Sequence, residues 1–465
     1  MADAQTHAAH YFDVLIIGAG QAGIPLARRL GKDGRRVAIA ERRHLGGSCV
    51  NFGCTPTKAV LASAHVAHLA RRADEFGVSV GDVHVDLPAV LKRARQFVFN
   101  SVEGLRRGLD DAGVTLLTGH ARFAGRSGDA FRLLVGDRAV TADRVVLDTG
   151  THSDRPNIEG IETVDYLHAG NWLEHERLPV ALLVIGAGYI GLEMAQFYRR
   201  CGAAVTVIDP NPQVMKNEDA DIADALRQCL EEEGIHFSLR TEVRAVRRTT
   251  DGIRLTLGDG RSLDGTDLLL ATGRRPNTAD LGLETIGLSP ESDGTLAVNE
   301  RLETAVTGVY AAGDIRGGPM FTHSSWDDHR VLESQLLEDG RHTTAGRIVP
   351  YAVFTDPELG RVGLTETQAR QQFGDGVRVA RFPMKRNGRA ATDGEANGLL
   401  KLVVHPTDDD RLLGAAVLGK AGGELIAIYT TLLNAKAPLS TLCRGMFIHP
   451  TLSEATASAV REIGK

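Results

Sequence analysis

One pattern occurs twice in this chain: a short apolar run, glycines spaced Gly-x-Gly-x-x-Gly, a helical stretch, a second apolar run and a closing acid. No other feature restricts the admissible folds as tightly. In the first copy residues 13–17 read as a strand, Gly18, Gly20 and Gly23 as the turn, residues 24–30 as a helix and residues 36–40 as a strand ending at Glu41. In the second, residues 182–185, the turn of Gly186, Gly188 and Gly191, residues 192–201 and residues 204–208 repeat the order and end at Asp209. Each acid follows its first glycine by 23 residues, and the two first glycines lie 168 residues apart. The first glycine permits a tight turn, the second lets backbone approach a pyrophosphate, and the third lets helix and strand pack closely. The helix start offers N–H groups to phosphate. A carboxylate at the strand end can accept hydrogen bonds from an adenosine ribose. A structural glycine turn is the alternative for either copy alone. Together they indicate two different dinucleotides, FAD and NAD or NADP. Asp209 favours NADH, because a 2′-phosphate there would meet a like charge and no arginine follows within a few positions.

Between the copies, residues 46–58 hold Cys49 and Cys54 flanking four residues, followed by Pro56 and Lys58. Pro56 lacks a helical N–H, so a regular helix begins or is kinked near Cys54 and continues through residues 59–73, with Lys58 in its first turn. A helix start lowers a thiol's pKa, and Gly53 permits the distortion that two cysteines five apart need in order to bond. Two buried structural thiols are the alternative reading. The remaining cysteines, Cys201, Cys229 and Cys443, match no redox motif.

A chain of 465 residues accommodates two to four domains, and 52 glycines without a collagen-like period point to many tight turns. The net charge of −6, with acidic runs at 231–233 and 408–410 read as solvated faces or turns, argues against nucleic-acid binding. Five cysteines and a polar start without a signal-peptide pattern point to the cytoplasm. The longest apolar stretch, 178–192, is too short and too interrupted by glycine for a membrane span. Further apolar runs end at Thr149-Gly150, at Gly273 and at Gly313-Asp314. Asp314 is either a turn residue or a ligand for a sugar-like chain. From Tyr351 onward, strand patterns at 399–404 and 412–418 alternate with helices such as 424–434, as in an antiparallel α+β domain. Near its end His449 precedes Pro450, and Glu454 lies five residues on. A lone histidine is more often packed or solvated than catalytic, yet a nearby carboxylate would hold one imidazole tautomer.

In combination and order, residues 46–58, residues 186–193, Ala312-Gly313-Asp314 and residues 449–454 resemble the flavin-dependent pyridine nucleotide-disulfide oxidoreductases. The group includes dihydrolipoyl dehydrogenase, glutathione reductase and mercuric reductase. The resemblance spans nearly the whole chain. It implies an α/β fold with two Rossmann-like domains, for FAD and NAD, and a C-terminal α+β dimerisation domain. The expected boundaries are 1–150 for the first FAD segment, 151–279 for the NAD(P) domain, 280–346 for a central second FAD segment and 347–465 for the interface domain. It further implies a homodimer in which His449 serves the partner subunit's active site.

The same resemblance implies that hydride passes between NADH, flavin and a Cys49–Cys54 disulfide. Cys54 would lie nearer the flavin, and Cys49 would exchange with substrate sulfur under the action of His449, oriented by Glu454. Lys58 and Glu193 would form a charged pair that tunes the flavin. Gly47, Ser48, Gly150, Asp314 and His323 would line the flavin side, and Gly273 and Tyr189 the nicotinamide side, Tyr189 as an aromatic gate. The leading chemistry is that of dihydrolipoyl dehydrogenase. Phe52, Thr55 and Asp148 depart from its usual residues. A mercuric reductase-like activity on a metal ion or other electrophile is the alternative, weakened because residues 455–465 carry no vicinal cysteines. A flavoprotein that consumes NADH and reduces quinones or oxygen directly from flavin would need neither cysteine. A docking component of a larger dehydrogenase complex is a third class.

Overall fold

A computed structural model of the chain describes residues 10–407 and 411–463. The polar start and the acidic run 408–410 lie outside the described residues. The chain divides into two compact units: Met1–Ala59 with Lys92–Asp154 and Gly273–Arg347, and Val60–Leu91 with Arg155–Thr272 and Ile348–Lys465.

The first unit is built on a seven-stranded sheet. Its parallel part runs Thr115–Thr118, Val37–Glu41, His10–Ile17, Arg138–Leu147, with Val309–Ala311 also paired to Arg138–Leu147. Ala130–Val135 and Ala121–Ser127 extend it antiparallel. Strand His10–Ile17 is apolar on both faces because both are covered. Leu15 and Ile17 enter one core with Phe123 and Leu147, whereas Val14 and Ile16 enter another with Leu26 and Leu30. Each fully buried aliphatic side chain here contributes about 1.5–3 kcal/mol. Strand order reverses between His10–Ile17 and Arg138–Leu147, and a crevice for ligands opens at the carboxyl ends of strands at such a switch point. Strand Ala121–Ser127 is not visible as a pattern in the sequence, because Gly125 lies in an irregularity that breaks the alternation between Phe123 and Arg126.

The second unit contains a four-stranded parallel sheet in the order Ile235–Ser238, Ala204–Ile208, Ala181–Ile185, Asp267–Leu270. It also has a three-stranded antiparallel sheet, Val243–Arg248, Ile253–Leu257, Ser262–Gly265. After residue 348 comes the antiparallel five-stranded sheet Tyr351–Val353, Glu358–Gly363, Leu412–Gly419, Leu399–Val404, Arg378–Pro383. Helices Gly422–Asn434 and Glu454–Glu462 pack on it through Ile426, Tyr429, Ala459 and Val460. The fold is α/β with two Rossmann-like nucleotide-binding arrangements and a C-terminal α+β part, as expected. No helix among the described residues is long and apolar enough to cross a membrane.

In the acidic run 231–233, Glu231 and Glu232 are exposed at the end of helix Ala220–Glu232 and Glu233 lies in the turn that follows. Glu231 pairs with Arg227 near the surface, but Glu233 turns inward. Arg200, 5% exposed, bonds Glu233 at 2.7 Å and Asp356 at 2.9 Å, and His65 Nδ1 lies 2.9 Å from the same Asp356 carboxylate. A buried guanidinium requires carboxylate partners, and that requirement outweighs the solvation preference of Glu233.

Candidate active site

Both glycine turns have the same skeleton. Gly18 and Gly186 adopt φ of 99° and 112°, and a Cβ on either would lie 2.2 or 2.4 Å from a carbonyl oxygen, of Asp148 and Ala271 respectively. Only glycine fits such a site. The third glycines are equally constrained: a Cβ on Gly23 would lie 2.7 Å from the Gly18 carbonyl oxygen, and one on Gly191 2.0 Å from that of Gly186. The closing acids are held alike. Glu41 accepts the N–H groups of Ala19 (3.0 Å), Arg43 (2.7 Å) and His44 (3.0 Å). Asp209 accepts those of Ala187 (2.7 Å) and Asn211 (2.8 Å), and the Asn211 side chain at 2.7 Å. Each carboxylate is thereby fixed at the mouth of its turn.

The second glycines differ. A Cβ on Gly188 would meet no heavy atom of the described residues within 4 Å. Gly188 also caps helix Tyr189–Cys201 without a side-chain hydrogen bond, so the helix start faces open space that suits a dinucleotide phosphate. A Cβ on Gly20 would instead lie 2.7 Å from Asp148 Oδ2. The bareness expected of Gly20 as room for a pyrophosphate thus also makes room for a neighbouring side chain.

The cysteine stretch folds as two helices, Gly47–Asn51 carrying Cys49 and Cys54–Arg71 opening on Cys54. Gly46 and Gly47 take φ of 96° and 62°, and a Cβ on Gly47 would come 3.2 Å from Gly20 Cα. That close approach brings the cysteines beside the first turn. The Cys49 and Cys54 side chains are hydrogen-bonded. This bond, followed by burial and the Cys54 charge, raises the Cys49 thiol above its ordinary pKa, against an opposing bond from Thr322. Thr322 Oγ1 lies 3.2 Å from Cys54 Sγ, at the start of helix Thr322–Leu337. Thr322 was not singled out in the sequence, where it is separated from Cys54 by 268 residues. Next to it His323 stacks on Phe321 with ring centroids 5.4 Å apart. Burial raises the thiols of Cys201 and Cys229 to about 12, as inert packing implies.

Asp314 is tied to the same region: Thr151 Oγ1 donates to its Oδ2 at 2.9 Å, and Arg274 Nε is 3.7 Å away. Arg274 reaches Ser48 Oγ at 3.4 Å. Gly150, at φ of 64°, faces open space among the described residues. Gly47, Ser48, Gly150 and Asp314 therefore line one end of one sheet together with Glu41 and the first turn, and these residues fit FAD. Asp328, fully buried, fixes this end by accepting Gly313 N–H at 2.8 Å while paired with Arg316 (2.8 Å) and Arg347 (2.6 Å).

In the second unit Glu193 is buried on helix Tyr189–Cys201 and accepts Phe354 N–H at 2.9 Å. Tyr189 is the first residue of that helix, and Gly273, at φ of 136°, follows the Ala271 that abuts the second turn. His449 and Glu454 meet as a pair, with Nδ1 3.0 and 3.2 Å from the two carboxylate oxygens. Thr451 N–H also donates to Glu454, at 3.1 Å. That backbone bond first, then the histidine, holds the Glu454 carboxyl below its ordinary pKa. His449 is 82% exposed, and Met446 and Ile448 beside it are 99% and 77% exposed.

Residues 12–328 match the family described as pyridine nucleotide-disulphide oxidoreductase, and residues 349–460 match its dimerisation domain. The chain belongs to that family. It is 36% identical to a dihydrolipoyl dehydrogenase of Thermus scotoductus and 33% identical to one of Cupriavidus necator, each over 98% of both chains. Among solved structures it is similar to the Cu(II) complex of the HOCl-induced flavoprotein disulfide reductase RclA from Escherichia coli. That match has a TM-score of 0.88 at 30% identity and covers 98% of this chain and 100% of the other. The protein is an FAD-dependent disulfide oxidoreductase that works with a pyridine nucleotide and carries a domain for homodimer formation.

Proposed function

We propose that the protein transfers electrons between NADH and a small dithiol or disulfide through Cys49 and Cys54, in the manner of dihydrolipoyl dehydrogenase. The observation that carries this reading is the hydrogen-bonded pair of thiols at the start of helix Cys54–Arg71, beside the first glycine turn. Bound FAD supplies two-electron transfer between the nicotinamide and the cysteine pair. In the reducing direction Cys49 thiolate attacks a sulfur of the substrate disulfide, and the leaving sulfur takes a proton. Cys54 then displaces the substrate from the mixed disulfide, closing Cys49–Cys54 and releasing the second thiol. The net change is two electrons and two protons delivered to the substrate.

A thiol must lose its proton before it attacks a disulfide, so the step needs a base, and His449 from the partner subunit, with Nδ1 held by Glu454, fills that role. The exposure of Met446 and Ile448 beside His449 supports burial of this segment against a second copy. To Lys58 and Glu193 we assign the flavin-tuning role, to His323 a place on the flavin side, and to Tyr189 the gate over the nicotinamide. Residues 1–150 and 280–346 form the FAD portion, 151–279 the NAD portion and 347–465 the interface. Asp209 supports NADH over NADPH, and the low number of cysteines, five in 465 residues, supports a cytoplasmic setting.

The test is Cys49→Ser, assayed with dihydrolipoamide and NAD. Loss of turnover with NADH-driven reduction of the flavin retained supports the dithiol route; surviving turnover overturns it. A second reading, reduction of a metal ion such as Cu(II), is favoured by the similarity to a Cu(II) complex of RclA. Cu(II)-dependent NADH oxidation that is lost in Cys49→Ser, without lipoamide turnover in the wild type, would select it.

A further inference from the structure

The two glycine turns offer an internal comparison. Asp148-Thr149-Gly150 and Ala271-Thr272-Gly273 stand at equivalent places, since the carbonyls of Asp148 and Ala271 both press on the first glycine of their turns. The second turn, with alanine there, leaves the space at Gly188 open. In the first, the Asp148 side chain, 6% exposed, enters the turn. Its Oδ2 accepts Gly23 N–H at 2.7 Å, the first N–H of helix Gly23–Lys32. A Cβ on Gly20 would come within 2.7 Å of Oδ2, and one on Gly313 within 2.9 Å of Oδ1. The carboxyl group is therefore wedged between the two backbone turns that frame the flavin cofactor's place in this unit, where the second turn has only a methyl group.

An ionised carboxylate there would repel the diphosphate that the helix start attracts. A neutral carboxylic acid both accepts the Gly23 N–H and offers an O–H. We propose that Asp148 is a cofactor-binding residue of this chain, a protonated acid that bridges the first glycine turn to the diphosphate of FAD. Two further acids of the same unit face it. Asp314 lies on the short helix Gly313–Arg316 and Asp328 on helix Thr322–Leu337. Asp328 is paired with Arg316 and Arg347, and Asp314 lies near Arg274. Glu41, at the mouth of the turn, is held by three N–H groups. Burial first, against the opposing backbone bonds from Gly23 and Ala22, and with the charges of Asp314 and Asp328, holds the Asp148 carboxyl well above the ordinary carboxylate range. The diphosphate's own charge raises it further, so FAD binding takes up a proton as pH climbs. Affinity is then constant below the apoprotein's titration and falls above it, until the holoprotein titrates.

The inference rests on the family's FAD site and not on the thiol chemistry, so its readout is flavin retention. Holoprotein of the wild type, Asp148→Asn and Asp148→Ala would be diluted at pH values from 6 to 9.5, as a choice of buffers, and the released FAD measured by its fluorescence. The wild-type Kd is expected to rise with pH by up to about tenfold per unit, the limit for one linked proton. Asp148→Asn, which keeps an acceptor and a donor without a proton to lose, is expected to bind as tightly as wild type at pH 6 and to stay flat. Asp148→Ala is expected to bind several-fold more weakly at pH 6. A wild-type slope retained in Asp148→Asn, a flat wild type, or Asn and Ala equally weak at pH 6 would each overturn the proposal. Circular dichroism of the apoproteins checks folding, and should the alanine variant not fold, the asparagine slope decides alone.

Discussion

Thr322 Oγ1 sits 3.2 Å from Cys54 Sγ, and the same side chain bonds Cys49, where it opposes the influences that raise that thiol. Thr322→Val removes the hydroxyl at nearly constant volume. The pH midpoint for alkylation of the reduced Cys49 should move upward, with the rate at pH 8 falling about tenfold, as loss of one charge-assisted hydrogen bond of about 1.5 kcal/mol would give. Iodoacetamide kinetics with mass-spectrometric assignment of the site would measure this, and an unchanged midpoint would count against a role for the hydroxyl.

Glu454 keeps its charge into acid pH because Thr451 N–H and His449 hold it. Glu454→Ala frees the imidazole to rotate and to change tautomer. The expected loss in kcat for disulfide reduction is about a hundredfold, at the lower end of what general acid-base catalysis contributes. NADH-driven flavin reduction, followed separately in a stopped-flow instrument, should be unaffected. Equal losses in both half-reactions would place Glu454 in folding instead of chemistry.

Asp209→Asn tests nucleotide preference. The amide can no longer repel a 2′-phosphate, and the ratio of kcat/KM for NADH to that for NADPH should fall about tenfold. A ratio that does not move would dissociate the acid from discrimination.

Arg200 is the buried centre of a cluster with Glu233 and Asp356. Arg200→Met leaves two carboxylates without their cation and should cost about 3–5 kcal/mol, read as a lower urea midpoint at pH 7. Beside it, His65 is raised by its bond to Asp356. Its contribution to stability is full below the unfolded histidine value of about 6.5 and is lost as pH rises through the folded value. The Tm difference between wild type and His65→Gln should therefore be largest near pH 6 and shrink toward alkaline pH. His68, which burial shifts the other way, is present in both proteins and cancels. A difference constant with pH would show that His65 acts only through packing.

Much of this site was legible because the relevant residues are neighbours in sequence. The glycine turns, the acids 23 residues on, the Cys49 and Cys54 loop and the His449 and Glu454 pair all span short stretches, and local geometry dictates their spacing. What escaped has partners far along the chain. Thr322 meets Cys54 only after folding, and Asp148 was visible as an unusual residue without its partner Gly23, 125 positions earlier. Glu233 looked like one acid in a run because Arg200 and Asp356, which draw it inward, lie 33 and 123 residues away. Local pattern reports the period of an element, whereas burial of a charge is decided by whatever cation the tertiary fold supplies.

The alanine at 271 and the aspartate at 148 have a significance beyond either turn. A duplicated architecture within one polypeptide exposes both copies to the same solvent, temperature and synthesis, so divergence between them cannot be ascribed to environment. The turn with an acid at this place has a grip on its ligand answerable to proton activity, and the turn with a methyl group there has no such group to titrate. One polypeptide thus carries, at one equivalent place, a titratable holder for one guest and an apolar one for the other, and alkalinity would be felt there by the occupant of the first turn alone.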